Sequence, residues 1–303
     1  MVEALLRDGF GYHAAESDRY AAELEAAAEA GVPAAHLAQF LKDATHTIGE
    51  HLGDWRRATK IAEQVLEGRS PTKDSAKAWA HLAIARMMSG DVARAAAAEL
   101  TYLSAADGDF EAALIEGRFM LVATLVGCKR AADASAIYVA ALELARKLGD
   151  AAPSRAMAVA SNNLASELLE VSTRTAEEAA LMRLCADTAH EFWLRCGTWQ
   201  HDERARYLKA LVANALGEPD AALGHVETAL QIIAANGEAP VDVNFLHLTR
   251  AHALRLAGDE AASVDELAIS DTVAAGWTNP GLTAWYAEER VRVIGAPPPS
   301  AVA

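Results

Sequence analysis

The chain has 303 residues, of which 42 are acidic and 27 are basic, and its formal net charge at pH 7 is −15. This balance predicts that the protein binds neither nucleic acid nor an anionic membrane surface, because both require Lys and Arg side chains gathered on one face. Apolar residues make up 52% of the chain but aromatic residues only 6%, a composition typical of alanine-rich helices that pack at close range.

Neither a secretion signal nor a membrane span is predicted. Acidic residues occur within the first eight positions, and charges interrupt every apolar stretch before it reaches the ~20 residues that a membrane-spanning helix needs. The three cysteines, Cys128, Cys185 and Cys196, are too few and too far apart to form a disulfide framework or a zinc knuckle. We therefore expect a cytoplasmic protein with buried, reduced thiols and no cofactor.

Four regions follow one another along the chain. Residues 1–35 are predicted to form an N-terminal capping region with one amphipathic helix over 12–30. Residues 36–275 contain about six helix-turn-helix repeats, residues 276–295 a C-terminal capping helix, and residues 296–303 a Pro-rich tail that is predicted to be disordered. No linker interrupts the pattern, so the expected architecture is one continuous superhelix.

The turns inside the repeats share a short sequence signature. A glycine followed by an acidic residue precedes the second helix of four repeats, at Gly53, Gly90, Gly217 and Gly258. Glycine supplies the left-handed conformation that ends one helix, and the acidic residue stabilises the N-terminus of the next. The third repeat departs from this signature, because Lys129 and Arg130 stand where the glycine and the acid are expected.

The second repeat carries a family resemblance. It holds six residues at the positions where tetratricopeptide repeats have their signature side chains, namely Trp79, Leu82, Ala83, Gly90, Asp91 and Ala95. The chain resembles that family over roughly residues 36–275, with equivalent positions spaced by 37 to 45 residues in place of the usual ~34. The resemblance implies an all-α fold, a tetratricopeptide-like, right-handed superhelix of helical hairpins, in which the first helix of each repeat lines a concave groove.

The groove that the resemblance implies is the predicted binding site. It is expected to be acidic at its N-terminal end, apolar in the middle and basic at its C-terminal end, which suits a peptide whose acidic part lies near Arg204 and Arg255. The alternative for each residue is simple exposure or packing against a neighbouring helix. The predicted groove residues are Asp43, Glu50, Lys77, Ile84, Met87, Phe119, Asn162, Arg204, Tyr207, Asn214, His252 and Arg255.

A metal site at His46, Glu50 and His51 is considered and disfavoured. His46 and Glu50 are one helical turn apart and can share a face, but the zinc-protease patterns place two histidines four residues apart, and here they are five apart. A third protein ligand is not identifiable from the sequence, so no metal site is predicted.

The segment 190–207 is the densest in reactive side chains, and it includes Cys196 and His201. A nucleophilic cysteine activated by a histidine is conceivable, but the segment spans a helix end, a turn and a helix start, where aromatic residues fill joints and polar residues cap helices. We therefore predict no catalytic residue. Signatures of phosphate loops, dinucleotide-binding loops and nucleophile elbows are absent from the sequence.

These observations lead to three functional hypotheses. The first is a non-catalytic adaptor or scaffold that binds a protein or peptide in the concave groove and that can form a homodimer. The second is a regulatory module that senses a ligand or peptide and acts through another chain. The third, less favoured, is an atypical all-α enzyme that uses Cys196 and His201.

Overall fold

The structure is a computed structural model that describes residues 2–106, 109–149 and 152–294. All regular elements in these ranges are helical, which confirms the all-α prediction. Contacts divide the chain into two compact units, unit 1 (Met1–Pro153) and unit 2 (Ser154–Ala303). The sequence pattern predicts one continuous superhelix, because the short segment 149–153 at this boundary does not stand out from the turns between the other repeats. The predicted disordered tail at 296–303 lies outside the described residues.

Unit 1 contains eight α-helices within its described residues, with a 3-10 turn (Ala34–His36) before α3 and a π-helix (Thr45–His51) directly after it. The α-helices are α1 (Val2–Gly9), α2 (Ser17–Ala30), α3 (Leu37–Ala44), α4 (Trp55–Leu66), α5 (Ala76–Met88), α6 (Val92–Ala105), α7 (Phe110–Gly127) and α8 (Ala131–Leu148).

Unit 2 contains seven α-helices within its described residues. They are α9 (Ser154–Glu170), α10 (Ala176–Cys196), α11 (Trp199–Ala215), α12 (Pro219–Asn236), α13 (Pro240–Leu256), α14 (Glu260–Ala274) and α15 (Pro280–Ile294). Helices α9 to α14 pack in consecutive pairs, and α9, α11 and α13 contact one another in that order. We call the layer formed by α9, α11 and α13 the inner layer of unit 2; α10, α12 and α14 pack on its other side.

The predicted turn signature is confirmed by backbone geometry. Gly53, Gly90, Gly217 and Gly258 all have positive φ. The aspartates that follow the first, second and fourth of these glycines each accept a hydrogen bond from the backbone N–H three residues later. Glu218 follows the third and makes no such bond; there the helix starts with Pro219 instead, whose fixed φ suits the first helical position.

Small residues at the helix crossings are buried as their positions predict. Ala58, Ala95, Ala134, Ala222 and Ser263 are each at most 1% exposed, so the two helices of each hairpin approach closely at these points. The repeat with the longer turn differs: Ala179 is only half-buried, whereas Glu178 forms a capping box with Thr175. The extra turn residues shift the contact register of that repeat.

The N-terminal region differs from the single helix predicted over 12–30. The helix α2 begins at Ser17, and residues 10–15 form turns that connect it to α1. These turns place His13 against the π-helix of unit 1, where it contacts His46.

Replacing Lys129 by glycine is expected to stabilise the protein by about 0.5–1 kcal/mol. Lys129 has φ 58° and is the one non-glycine residue with positive φ in the described ranges. An L-residue in the left-handed region carries steric strain of ~1–2 kcal/mol that glycine avoids, partly offset by the larger unfolded-state entropy of glycine. Urea unfolding of the variant beside the parent chain measures the change. Gly90→Ala, at a turn with φ 90°, is the opposite control and is expected to destabilise.

Candidate functional site

The predicted groove residue nearest the N-terminus, Asp43, belongs to the core and does not line a groove. Its carboxylate is 1% exposed and accepts hydrogen bonds from the Tyr20 hydroxyl at 2.8 Å and from Gln39 Nε2 at 2.7 Å. Burial raises the pKa of Asp43 although these two hydrogen bonds oppose the shift. The prediction for Asp43 is therefore wrong, because a tyrosine on α2 reaches across to α3 and takes the carboxylate into the interior.

Two apolar groove residues of unit 1 are also buried. Ile84 is 5% exposed and Phe119 is 7% exposed, with the Phe119 ring packed against Tyr138 at a centroid distance of 5.0 Å. Met87 is the exposed member of the set, at 37%, and Lys77 forms an ion pair with Glu116 at 3.2 Å. Of these four predicted groove residues, Met87 and Lys77 are the ones that are exposed to solvent.

A small depression lies between α5, α6 and α7. It is lined by Ile84, Met87, Tyr102 and Leu121 among others, and it has a volume of about 30 Å³. Sites for small organic ligands enclose roughly 300–1,000 Å³, so this depression is far too small for one.

Glu50, which was predicted to line the groove, lies beside His46 and His51, the pair that was disfavoured as a metal site. The structure adds a residue to which the sequence did not point, His13. Nε2 of His46 lies 3.1 Å from Nε2 of His13 and 3.1 Å from Nε2 of His51. Glu50 Oε2 lies 2.7 Å from His46 Nδ1. We call these three histidines the histidine cluster. Within the described residues, these three imidazoles form a group whose nitrogens are close enough together to hold a metal ion.

The predicted groove residues of unit 2 lie on its inner layer, and α15 packs across that layer. The ring of Trp285 stacks on Phe245 at a centroid distance of 4.1 Å, while Tyr286 and Val293 are buried. The cluster of α13 and α15 side chains also takes in Tyr207, which is half-buried on α11. Burial raises the pKa of the Tyr207 hydroxyl. The predicted C-terminal capping helix thus covers part of the face that was expected to bind a partner.

Polar contacts tie α15 to the inner layer at its C-terminal end. Arg255 Nη1 donates to the carbonyl oxygen of Val293 at 3.1 Å. Arg292 donates to both carboxylate oxygens of Glu170 on α9, at 3.0 and 2.8 Å. The predicted groove residue Arg255 therefore contacts the negative end of a helix that belongs to the same chain.

The remaining predicted residues of unit 2 have different surroundings. Asn214 is 4% exposed and donates from Nδ2 to the carbonyl oxygen of Thr249 at 3.0 Å, so it joins α11 to α13 and does not face a partner. His252 is half-buried, and burial lowers its pKa. Asn162 is half-buried on α9, and Arg204 is exposed and forms an ion pair with Asp242 at 3.1 Å.

Sequence reasoning missed the most perturbed carboxyl group of unit 2, Glu203. Its side chain is fully buried, and Arg204 Nε is its nearest cation, at 3.4 Å from Oε1. Burial, followed by the charge of Asp242, raises the pKa of Glu203 to about 8 although Arg204 opposes the shift. Glu203 is therefore mainly protonated at pH 7. The sequence does not reveal the burial of Glu203, because its charged neighbours Asp202 and Arg204 reach the surface.

The structure does not bring Cys196 and His201 into a catalytic pair. Cys196 is exposed, contrary to the predicted burial of the thiols, and it donates to the carbonyl oxygen of Phe192 at 3.2 Å. Partial burial raises the pKa of its thiol, which disfavours the nucleophilic thiolate. His201 Nδ1 instead accepts a hydrogen bond from the backbone N–H of Thr198 at 3.1 Å, and its ring packs on Trp193.

Comparison with known proteins adds little to this geometry. No protein-family model matches the chain, and no curated protein matches it. One similar solved structure is the crystal structure of BtubC (BKLC) from P. vanneervenii, with 18% sequence identity and a TM-score of 0.46. The match covers 76% of this chain and 93% of that one. A likeness of this degree supports no inference about function.

Within the described ranges, every helix is too short or too polar to cross a lipid bilayer.

Proposed function

We propose that this protein is a non-catalytic adaptor that binds an amphipathic helix of a partner protein on the inner layer of unit 2. The observation that carries the proposal is α15 itself. A helix of the same chain already lies on that layer, where it contacts Phe245 and Arg255 and shares an apolar cluster with Tyr207. Tyr207 and Arg255 were both predicted to line the groove. Helix-in-groove recognition uses such a combination of apolar anchors and polar ends.

The contacts of α15 define the chemistry of the proposed partner. The partner helix would present adjacent aromatic residues to Phe245 and a basic residue to Glu170, as α15 does with Trp285 and Arg292. Its C-terminal carbonyl groups would accept from Arg255. The C-terminus of any helix carries a partial negative charge, so an arginine there is favourable whatever the side chains are.

Replacement of α15 by a partner helix requires that α15 can open locally. Tyr286 and Val293 are the members of α15 that are buried among its described side chains, whereas Trp285 is 45% exposed. This limited apolar burial lowers the free energy of local opening, while the ion pairs of α15 with Asp271 and Glu170 raise it. A partner helix with a larger apolar face would gain more burial on the same layer.

Binding of a labelled peptide tests the proposal. A fluorescent peptide with the sequence of residues 277–294 is titrated into the full chain and into the Trp285→Ala/Tyr286→Ala variant, whose own helix is loosened. We expect saturable binding that is about 10-fold tighter for the variant, because the competing internal helix is weakened. Absence of saturable binding to both proteins would refute the proposal.

A charge exchange tests whether the peptide takes the place of α15. In the loosened variant, Glu170→Arg is expected to weaken the peptide about 3- to 10-fold, and a peptide with Arg292→Glu is expected to recover that loss. Glu218→Arg is the matched control, because Glu218 forms a similarly exposed pair with Arg183 away from the inner layer. Equal effects of the two substitutions would contradict the proposed location.

We infer a tetratricopeptide-like, bacterial-type protein of the cytoplasm, with no nucleic-acid or membrane partner and with no reaction of its own. The excess of acidic over basic residues supports the absence of a nucleic-acid or membrane partner. The hydrogen bonds that Cys196 and His201 make to backbone groups support the absence of a reaction. Homodimer formation is a natural extension, since α15 of one copy has the sequence that binds the inner layer of another.

A further inference from the structure

The histidine cluster of unit 1 has a geometry that the peptide-binding proposal does not use. His13 lies in the turns between α1 and α2, and His46 and His51 lie on the π-helix. The ligand nitrogens of all three residues lie within 4.8 Å of one another, and two of the three Nε2–Nε2 distances are 3.1 Å. Nitrogen ligands bound to a tetrahedral zinc ion at ~2.0–2.1 Å are separated by roughly 3.3–3.4 Å.

The π-helix explains why two histidines five residues apart share one face. In an α-helix, residues five apart point in directions more than a quarter-turn apart. In the π-helix the hydrogen bonds run between residues five apart, as between the Leu52 N–H and the Thr47 carbonyl oxygen at 3.1 Å. His46 and His51 are therefore one turn apart, and their rings meet at a centroid distance of 4.6 Å. This removes the spacing objection that the sequence raised against a metal site.

The contacts of Nδ1 in His13 and in His46 fix the orientation of the Nε2 atom of each ring. His13 Nδ1 is 2.7 Å from the carbonyl oxygen of Phe10, and His46 Nδ1 is 2.7 Å from Glu50 Oε2. A carbonyl oxygen accepts and cannot donate, so His13 carries its proton on Nδ1 when it is neutral. A carboxylate on His46 Nδ1 has the same effect. Histidines that bind metals through Nε2 have this arrangement of a second partner on Nδ1.

With their protons on Nδ1, neutral His13 and His46 turn their Nε2 lone pairs toward the same centre, and the two nitrogens are 3.1 Å apart. Nε2 of His51 lies 3.1 Å from Nε2 of His46 and adds a third nitrogen there. A metal ion can accept a lone pair from each of three imidazoles at once.

We propose that His13, His46 and His51 bind one divalent transition-metal ion through Nε2, with zinc as the ion that fits this nitrogen spacing. Three imidazole ligands suit zinc and the neighbouring first-row metals. His51 is exposed, so water can reach the ion and supply a fourth ligand. Glu50 and the Phe10 carbonyl act as positioning groups, and the ion ties the turn before α2 to the π-helix.

Metal binding to the full chain tests this proposal directly. After treatment with a chelator and its removal, zinc is titrated into the protein against a chromophoric competitor, and Co²⁺ is added separately as a spectroscopic probe. We expect one zinc ion per chain, a rise in melting temperature with zinc, and the visible absorption of tetrahedral Co²⁺.

Variants locate the ion. His51→Ala removes an exposed ligand without disturbing the core and is expected to weaken zinc more than about 100-fold and to abolish the Co²⁺ absorption. Glu50→Gln is expected to weaken zinc about 10- to 100-fold with the absorption retained. His36→Ala, a histidine of the same unit outside the cluster, is the matched control and is expected to bind zinc like the parent chain.

Two results would overturn the proposal. One is zinc affinity that is equal in the parent chain and in His51→Ala, with circular dichroism showing both to be folded. The other is a Co²⁺ spectrum of six-coordinate, hydrated type in the parent chain. The histidine cluster lies in unit 1, whereas the peptide is proposed to bind the inner layer of unit 2. The metal titrations and the peptide titrations therefore test separate proposals.

Discussion

Replacing Glu203 by glutamine is expected to raise the free energy of unfolding at pH 8 by on the order of 2–4 kcal/mol and to flatten its dependence on pH. Glu203 is fully buried, and its pKa in the folded protein is about 8, against 4.5 for an unperturbed glutamate. Between these two values the folded state binds more protons than the unfolded state. Stability therefore falls as the pH rises from about 5 to about 8, since ionisation of Glu203 favours unfolding.

The measurement is urea unfolding of the parent chain and of Glu203→Gln at several pH values from 5 to 8. The two proteins should differ little near pH 5, where Glu203 is neutral in the folded state, and most at pH 8. Asp242→Asn is an informative second variant, because it removes the charge that raises the pKa of Glu203 and should reduce the slope only in part. Parallel pH profiles for the parent chain and Glu203→Gln would show that Glu203 is not the titrating group.

Replacing Gly49 by alanine is expected to destabilise unit 1 by about 1–3 kcal/mol. Gly49 is buried in the π-helix, and a Cβ at this position would lie 2.5 Å from Cη2 of Trp55. The indole ring must move away or the helix must shift, and a shift would separate His46 from His51. Zinc binding should therefore weaken together with stability if the histidine cluster is a metal site.

Gly224→Ala is the matched control for this substitution. Gly224 also lies within a helix, but it is exposed and a Cβ there meets no atom within 4 Å. Alanine has the higher helix propensity, so this change should stabilise the protein by about 0.5–1 kcal/mol. Chemical denaturation of both variants gives opposite signs if crowding by Trp55 is the cause. Destabilisation by both would point instead to a general intolerance of substitutions at helix glycines.

Features that depend on local interactions were predicted well from the sequence. The positive φ at Gly53, Gly90, Gly217 and Gly258 follows from the freedom of glycine at a helix end, and the capping by Asp54, Asp91 and Asp259 follows from hydrogen bonds three residues away. The irregular turn at Lys129 keeps the same backbone conformation. The fold imposes that conformation even where the residue type does not favour it.

Features that depend on contacts distant in sequence were not predicted. Asp43 is buried because Tyr20 reaches it from another helix, and His13 completes the histidine cluster because the turns before α2 fold back on the π-helix. The π-helix could not be predicted, because α-helical spacing places residues five apart on different faces. Glu203 resembles any charged helix residue until its three-dimensional surroundings are known. Local patterns carry no information about which distant side chain will cover a given face.

The contact between Arg292 and Glu170 has a consequence for the order in which unit 2 assembles. These residues are 122 positions apart, so closing this contact early would carry the entropy loss of a long loop. During synthesis α9 to α14 leave the ribosome before α15, and N-terminal segments generally fold first. We therefore expect nascent unit 2 to pass through a stage with its inner layer formed and uncovered, at which the proposed partner helix would meet no competition from α15.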